Sequence, residues 1–240
     1  MHDGALGSDR IEEKSVPQKA LIDRRPWLLA SLIAGVAYYF VWNNPVGGVW
    51  LIAVKGAGVG LLAIYALRRT LGLDGAILSM ALALSAAADM VLEINFEVGG
   101  ALFFASHCVA VALYARNLRE TTTPSQKACA AALFVATPAL AYLLSARGDI
   151  AVYSMSLGAM AAAAWMSRFP RYRVGLGAVL FIISDWLIFS RMGPIDLAPL
   201  PDALVWPTYY AAQVMIATGV VQTLRADREA PDAYAAPARP

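Results

Sequence analysis

Charge is scarce in this chain. Only 15% of its 240 residues are charged, 59% are hydrophobic, and the mean hydropathy is +0.58. Soluble domains carry about a quarter charged residues, so an ordinary soluble domain is excluded. There are two cysteines, Cys108 and Cys129, both in apolar stretches. They imply no disulfide framework and read as small buried packing residues. Of two histidines, His2 lies in a polar terminal segment, leaving His107 alone in apolar surroundings. A three-histidine zinc site is thereby excluded, and nothing else resembles a metal cage. The net charge of +2, without a basic run, gives no reason to expect a nucleic-acid partner. The first 25 residues lack the apolar core and cleavage site of a signal peptide. They are read as a polar N-terminal tail, residues 26–225 as one membrane domain, and residues 226–240 as a polar C-terminal tail.

What the chain does have is long apolar runs, at roughly 27–42, 49–67, 75–93, 98–116, 127–145, 150–167, 173–190 and 203–224. Most approach the length of about twenty residues that a helix needs to cross a bilayer core. Between them lie turn-like NNPVGG, RRTLGLD, SARGD and RFPRYR. The pattern predicts an all-α polytopic membrane protein of eight transmembrane helices, with seven helices and one re-entrant segment as the alternative. Lys14, Lys19, Arg24, Arg25, Arg68, Arg69, Arg116, Arg119, Lys127, Arg168, Arg171, Arg173, Arg225 and Arg228 fall on one side, and only Arg147 and Arg191 on the other. Because basic residues collect on the cytoplasmic face, both termini are expected there. Trp27 and Trp165 then fall at inner helix ends, and Trp42, Trp50 and Trp206 at outer ends.

Against this background two carboxylates stand out: Asp89 in ILSMALALSAAADMVLEI and Asp185 in GLGAVLFIISDWLIF. An unpartnered charge at membrane depth costs about 3 kcal/mol or more, and such residues mark functional sites. Counting the helical rise puts both aspartates and Lys55 at one depth, in the outer half of the membrane. One lysine cannot neutralise two carboxylates. Two carboxyls in one low-dielectric pocket tend to divide into a protonated and an ionised member, which would set an acid beside a base. Lys55 is expected to hold whichever carboxylate it touches. Glu93 shares a helix face with Asp89 but is read first as a solvated rim residue. His107, Tyr153, Tyr209, Tyr210 and Gln213 lie in the spans at outer or middle depth and need partners there; each reads as interhelical glue or as a ligand contact. A short echo links SAAAD in the third span to the SD of Ser184 and Asp185 in the seventh. It points to a parallel four-plus-four repeat about a pseudo-twofold axis.

In order along the chain come Lys55, SAAADMVLE (85–93), FEVGGALFF (96–104), His107, Tyr153 with Met160, GAVLFIISDWL (177–187) and TYYAAQVMI (208–216). This ordered set resembles the YhhN family of lysoplasmalogenases, eight-span membrane enzymes, over residues 50 to 220. The chain departs from the family pattern at Ala88, Gly56 and Ala110, where a glycine, a proline and a tyrosine are usual. The resemblance implies hydrolysis of the vinyl ether bond of a lysoplasmalogen, giving a fatty aldehyde and glycerophosphoethanolamine or glycerophosphocholine. It implies Asp89 and Asp185 as the acid/base pair. Lys55, Glu93, His107, Tyr153, Ser184, Tyr209, Tyr210 and Gln213 would bind or support, and Arg191 at the rim would meet the lipid phosphate. No cofactor or metal is implied; the expected partners are the lysophospholipid and membrane lipid, in a bacterial inner membrane. Two other classes stay open: a proton-coupled transporter or lipid carrier using the buried carboxylates, and a scaffold whose charges are structural.

Overall fold

Residues 25–42 and 47–234 are described by the computed structural model, with side chains through Glu229. Most of the N-terminal tail, including Lys14, Lys19 and Arg24, and residues 43–46 of the first turn lie outside the described residues. Eight α-helices and no strand occur among the described residues: α1 (Pro26–Val41), α2 (Val49–Arg69), α3 (Leu73–Leu92), α4 (Phe96–Arg116), α5 (Pro124–Ser145), α6 (Gly148–Met166), α7 (Leu176–Ser190, preceded by a π-turn Arg171–Gly175) and α8 (Leu200–Tyr234). The helices α2, α3, α4, α5, the π-turn with α7, and α8 are long and apolar enough to cross a membrane. α1 has 16 residues. This is an integral membrane protein.

The helix boundaries are written locally. Pro26 and Pro124 stand at helix starts, where a missing N–H loses nothing. Thr123 and Gln126 form a reciprocal capping box on α5, and the Asn95 side chain accepts from Val98 N at 3.0 Å to cap α4. Gly48 and Gly72 lead into α2 and α3 at φ +81° and +84°, a region glycine enters without penalty.

The chain packs as a ring. α1 lies on α2, α2 on α3 and α3 on α4; α4 then passes over α5 to pack on α6, α6 meets α7, and α7 meets α8. α8 closes the ring against α2 and α3, while α5 stays outside, touching only α6 and α7. Three neighbour pairs of the first half recur in the second: α1·α2 as α5·α6, α2·α3 as α6·α7, and α3·α4 as α7·α8. Under the same mapping the contact α4·α6 becomes α8·α2. The recurrence is partial: α5·α7, α3·α8 and α1·α8 have no counterparts between α1 and α3, α7 and α4, and α5 and α4.

At the arginine-rich end a polar lattice joins four elements. Asn117 donates to Asp74 Oδ2 at 2.9 Å and accepts from Arg168 Nε at 2.8 Å, and Arg168 reaches Asp227 Oδ2 at 2.6 Å. Asp227 lies in the stretch the sequence reading assigns to a polar tail. The helix continues through it to Tyr234, supported by the Arg168 contact and by Arg225 on Glu229 four residues on. The cysteines also depart from expectation: Cys108 is exposed and Cys129 partly so. Their helix faces point outward, so neither thiol is a core packing residue.

Candidate active site

α3 and α7 carry the two aspartates inward, Asp89 2% and Asp185 6% exposed. Each is held by its own tyrosine from a neighbouring helix. Tyr209 Oη on α8 donates to Asp89 Oδ2 at 2.7 Å, and Tyr153 Oη on α6 donates to Asp185 Oδ2 at 2.9 Å. Gln213 Nε2, one turn along α8, donates to Tyr209 Oη at 3.2 Å and fixes its direction. The charges of Lys55, Glu93 and Asp185 all act on Asp89. The carboxylates thus share one electrostatic neighbourhood.

Lys55 corrects one expectation. Its ammonium pairs with Glu93 Oε1 at 2.5 Å, not with an aspartate, and lies 5.8 Å from the centre of the Tyr38 ring. Glu93 caps α3 four residues beyond Asp89 and keeps a third of its side chain exposed. A pair there retains water on one side, whereas pairing at Asp89 would bury both charges. Glu93 is accordingly a partner, not a free rim residue. Arg191 binds Asp202 Oδ1 at 2.6 Å, both side chains largely exposed. Tyr210 and Ser184 make hydrogen bonds between helices. Tyr210 Oη shares a 2.7 Å hydrogen bond with Ser31, and Ser184 Oγ donates to Val205 O at 3.1 Å.

A cavity of about 350 Å³ reaches Asp185 and Tyr153 from the end of the bundle opposite the arginine lattice. Its walls are Leu92 at the end of α3, Phe96 to Phe104 on α4, Ile150 and Val152 on α6, and Ile188 and Phe189 on α7. Glu97, Arg147 and Asp149 also line it, at the starts of α4 and α6. Val152 is 61% and Phe104 40% exposed, so the flank between α4 and α6 is open to the lipid-facing surface. Asp89 does not line this cavity. Phe103 does, and its ring stands edge-on to Tyr209 at 5.7 Å, between the cavity and the Tyr209–Asp89 pair.

His107 sits among these rings, 5.6 Å from Tyr153 and 5.2 Å from Phe181 between centroids. The Ser156 hydroxyl donates to Tyr153 O at 2.8 Å. His107 Nδ1, 3.2 Å from Ser156 Oγ, is therefore the protonated nitrogen. This leaves Nε2 a buried lone pair with no hydrogen-bond partner. A second cavity of about 20 Å³ beside it is lined by Ser85, Ser106, His107 and Gln213, a size and polarity that suit one water.

Residues 50–220 match the YhhN family. The chain belongs to the YhhN family. Two proteins named lysoplasmalogenase, from Mycobacterium bovis and Mycobacterium tuberculosis, are each 30% identical to this YhhN chain over 199 residues. The alignment covers 77% of this chain and 74% of each relative. No solved structure matches this YhhN protein. The matched span begins in α2 and ends within α8, so it contains both aspartates and both tyrosines, while α1 precedes it. Phe103, Glu97, Arg147 and Asp149 are not singled out by the sequence alone. A signal existed for the last three: each opens a helix at the end where α7, carrying Asp185, finishes.

Proposed function

We propose that this protein hydrolyses the vinyl ether bond of lysoplasmalogens, with Asp185 as proton donor and Asp89 as the second carboxyl. The observation that carries the reading is a buried, tyrosine-held carboxyl on the wall of an apolar cavity open to lipid. The relatives named lysoplasmalogenase support the substrate class. At about 350 Å³ the cavity is at the small end of ligand sites. It suits a glycerol backbone and the first part of one chain, the remaining tail leaving through the flank by Val152 and Phe104.

The chemistry follows from the bond. Asp185 delivers its proton to the β-carbon of the alkenyl group, and the enol-ether electrons shift to leave an oxocarbenium ion at the α-carbon. The Asp185 carboxylate formed in this step stabilises that cation, as carboxylates do in glycoside cleavage. Water adds at the α-carbon, and the proton it loses, taken up by a carboxylate, ends on Asp185; the hemiacetal hydroxyl proton then moves to the glycerol oxygen as that C–O bond breaks. The hemiacetal collapses to a fatty aldehyde and the glycerophospho-alcohol. Net, one water is consumed and the protein is unchanged. Tyr153 aims Asp185. The Tyr209–Asp89 pair, with Gln213 behind it and Lys55–Glu93 beside it, supplies the second negative group and a base once Phe103 turns aside.

Asp185→Asn and Asp89→Asn are expected to extract and elute like the parent protein and to lose aldehyde release by about 100-fold or more, the scale of general acid–base catalysis. The assay uses purified protein in detergent, lysoplasmalogen, and its saturated ether analogue. Full activity in either variant removes that residue from the mechanism. Cleavage of the saturated ether would rule out β-carbon protonation. Proton flux in sealed vesicles without aldehyde release in detergent would mark a carrier instead.

A further inference from the structure

We infer that Arg147, Asp149 and Glu97 form a head-group reader at the cavity mouth, one that selects zwitterionic over anionic lysophospholipids. The inference rests on the proposed lipid substrate but concerns a part of the cavity that the chemistry above does not use. Arg147 precedes α6 and holds Asp149 through two parallel contacts, Nε to Oδ1 at 3.1 Å and Nη2 to Oδ2 at 2.5 Å. Glu97 comes from the first turn of α4 and its charge acts on Arg147. All three line the same cavity as Asp185. Helix dipoles favour a carboxylate in a first turn. They do not explain why two such carboxylates from different helices flank one arginine at one opening.

The arrangement is a template for a phosphate–ammonium pair. A guanidinium fork matches a phosphate as well as it matches a carboxylate, so Asp149 occupies the position a lipid phosphate would take. When phosphate displaces it, Asp149 is left without its cation, and an ethanolamine or choline nitrogen supplies one beside it and Glu97. A head group without the ammonium leaves both carboxylates beside a phosphate, with one arginine among three negative groups. Such like-charge placement works by rejecting the wrong ligand as well as by favouring the right one.

Spacing supports the assignment. Asp185 lies five residues before the end of α7 and Tyr153 five residues after the start of α6, which is about 7–8 Å below the helix ends. In a lysoplasmalogen seven covalent bonds separate phosphorus from the vinyl β-carbon, about 8–9 Å in extended form with bonds near 1.5 Å. A phosphate on Arg147 therefore puts the reactive carbon at the depth of Asp185.

The test measures binding, so that it does not depend on catalysis. Full-length protein in a maltoside detergent is titrated with saturated 1-O-alkyl lysophospholipids of one chain length, bearing choline, ethanolamine or glycerol head groups, and with phosphate-free 1-O-alkylglycerol. The choline and ethanolamine lipids are expected to bind at least tenfold tighter than the anionic glycerol lipid. Arg147→Gln should weaken all three phospholipids about tenfold and leave alkylglycerol unchanged, which also reports that the variant is folded. Glu97→Gln should narrow the zwitterionic preference at least threefold. Arg191→Gln, at a guanidinium tied to Asp202 that does not line the cavity, should change nothing. Parent-like phospholipid binding by Arg147→Gln, or an unchanged preference in Glu97→Gln, overturns the inference. If the parent shows the preference yet releases no aldehyde from lysoplasmalogen, the head-group reader stands and the proposed reaction falls.

Discussion

A carboxyl inside a bundle is only as useful as the groups that aim it. Among the described residues Asp185 has one side-chain hydrogen-bond partner, the Tyr153 hydroxyl, so that contact sets both its orientation and its proton-donating direction. Removing it with Tyr153→Phe keeps the ring and its edge-on packing against Phe189, and with them the cavity wall. The expected result is a fall in kcat of about tenfold, the loss of one hydrogen bond to the carboxylate that forms as the proton leaves, with KM little changed. Steady-state kinetics on lysoplasmalogen checks this, and a KM rise with unchanged kcat would make Tyr153 a binding residue instead. At this scale the sequence was informative about which residues matter and poor about who holds whom. Asp89, Asp185, Tyr153, Tyr209 and Gln213 are singled out by being polar in apolar runs. That Lys55 pairs with Glu93, and Arg191 with Asp202, is set by side-chain reach across helices, which no spacing along one helix encodes.

Helices are joined here through small residues and a few aromatic anchors, because lipid gives no hydrophobic drive for one apolar helix to seek another. The docking of α1 shows this. Gly35 faces the ring of Tyr210, which stacks on Trp206 at 5.6 Å, and Trp206 Nε1 donates to Gly35 O at 2.8 Å. Ser31 donates to Gly58 O at 2.5 Å on α2. A Cβ on Gly35 would enter the Tyr210 ring, which its stacking and its Ser31 contact hold in place. Gly35→Ala is therefore expected to cost about 1–3 kcal/mol, as overpacking does. It should lower the detergent Tm while sparing vinyl ether cleavage in the folded fraction, since α1 lines no part of the Asp185 cavity. A parent-like Tm would mean that α1 is loosely held. The helices themselves are legible in the sequence to within a turn at every end but the last, since apolar runs, Pro, Gly and capping residues are local signals. The extension of α8 was missed because its support, Arg168 on Asp227, comes from a turn 59 positions away.

For the whole molecule, the arginine distribution and the cavity together predict a direction of work. With arginines inside, the Glu97–Arg147–Asp149 mouth is expected to face the outer leaflet, and the lattice of Asp74, Asn117 and Arg168 the cytoplasm. Single cysteines placed at Asp149 and at Glu120, in a background lacking Cys108 and Cys129, test this. A membrane-impermeant thiol reagent should label the first in intact cells and the second only after permeabilisation. The reverse pattern would invert the orientation and move the proposed site to the inner leaflet.

The sequence by itself determined that the chain lives in a membrane, where its helices begin, and which buried charges need an explanation. All of these follow from local composition and from the cost of polarity in lipid. Tertiary structure decided the rest. α4 skips α5 to pack on α6, opening a cavity that Asp185 lines and Asp89 does not, with Phe103 between them. That division arises from how eight helices pass one another, and the order of helices around a ring is not carried by the periodicity of any one of them.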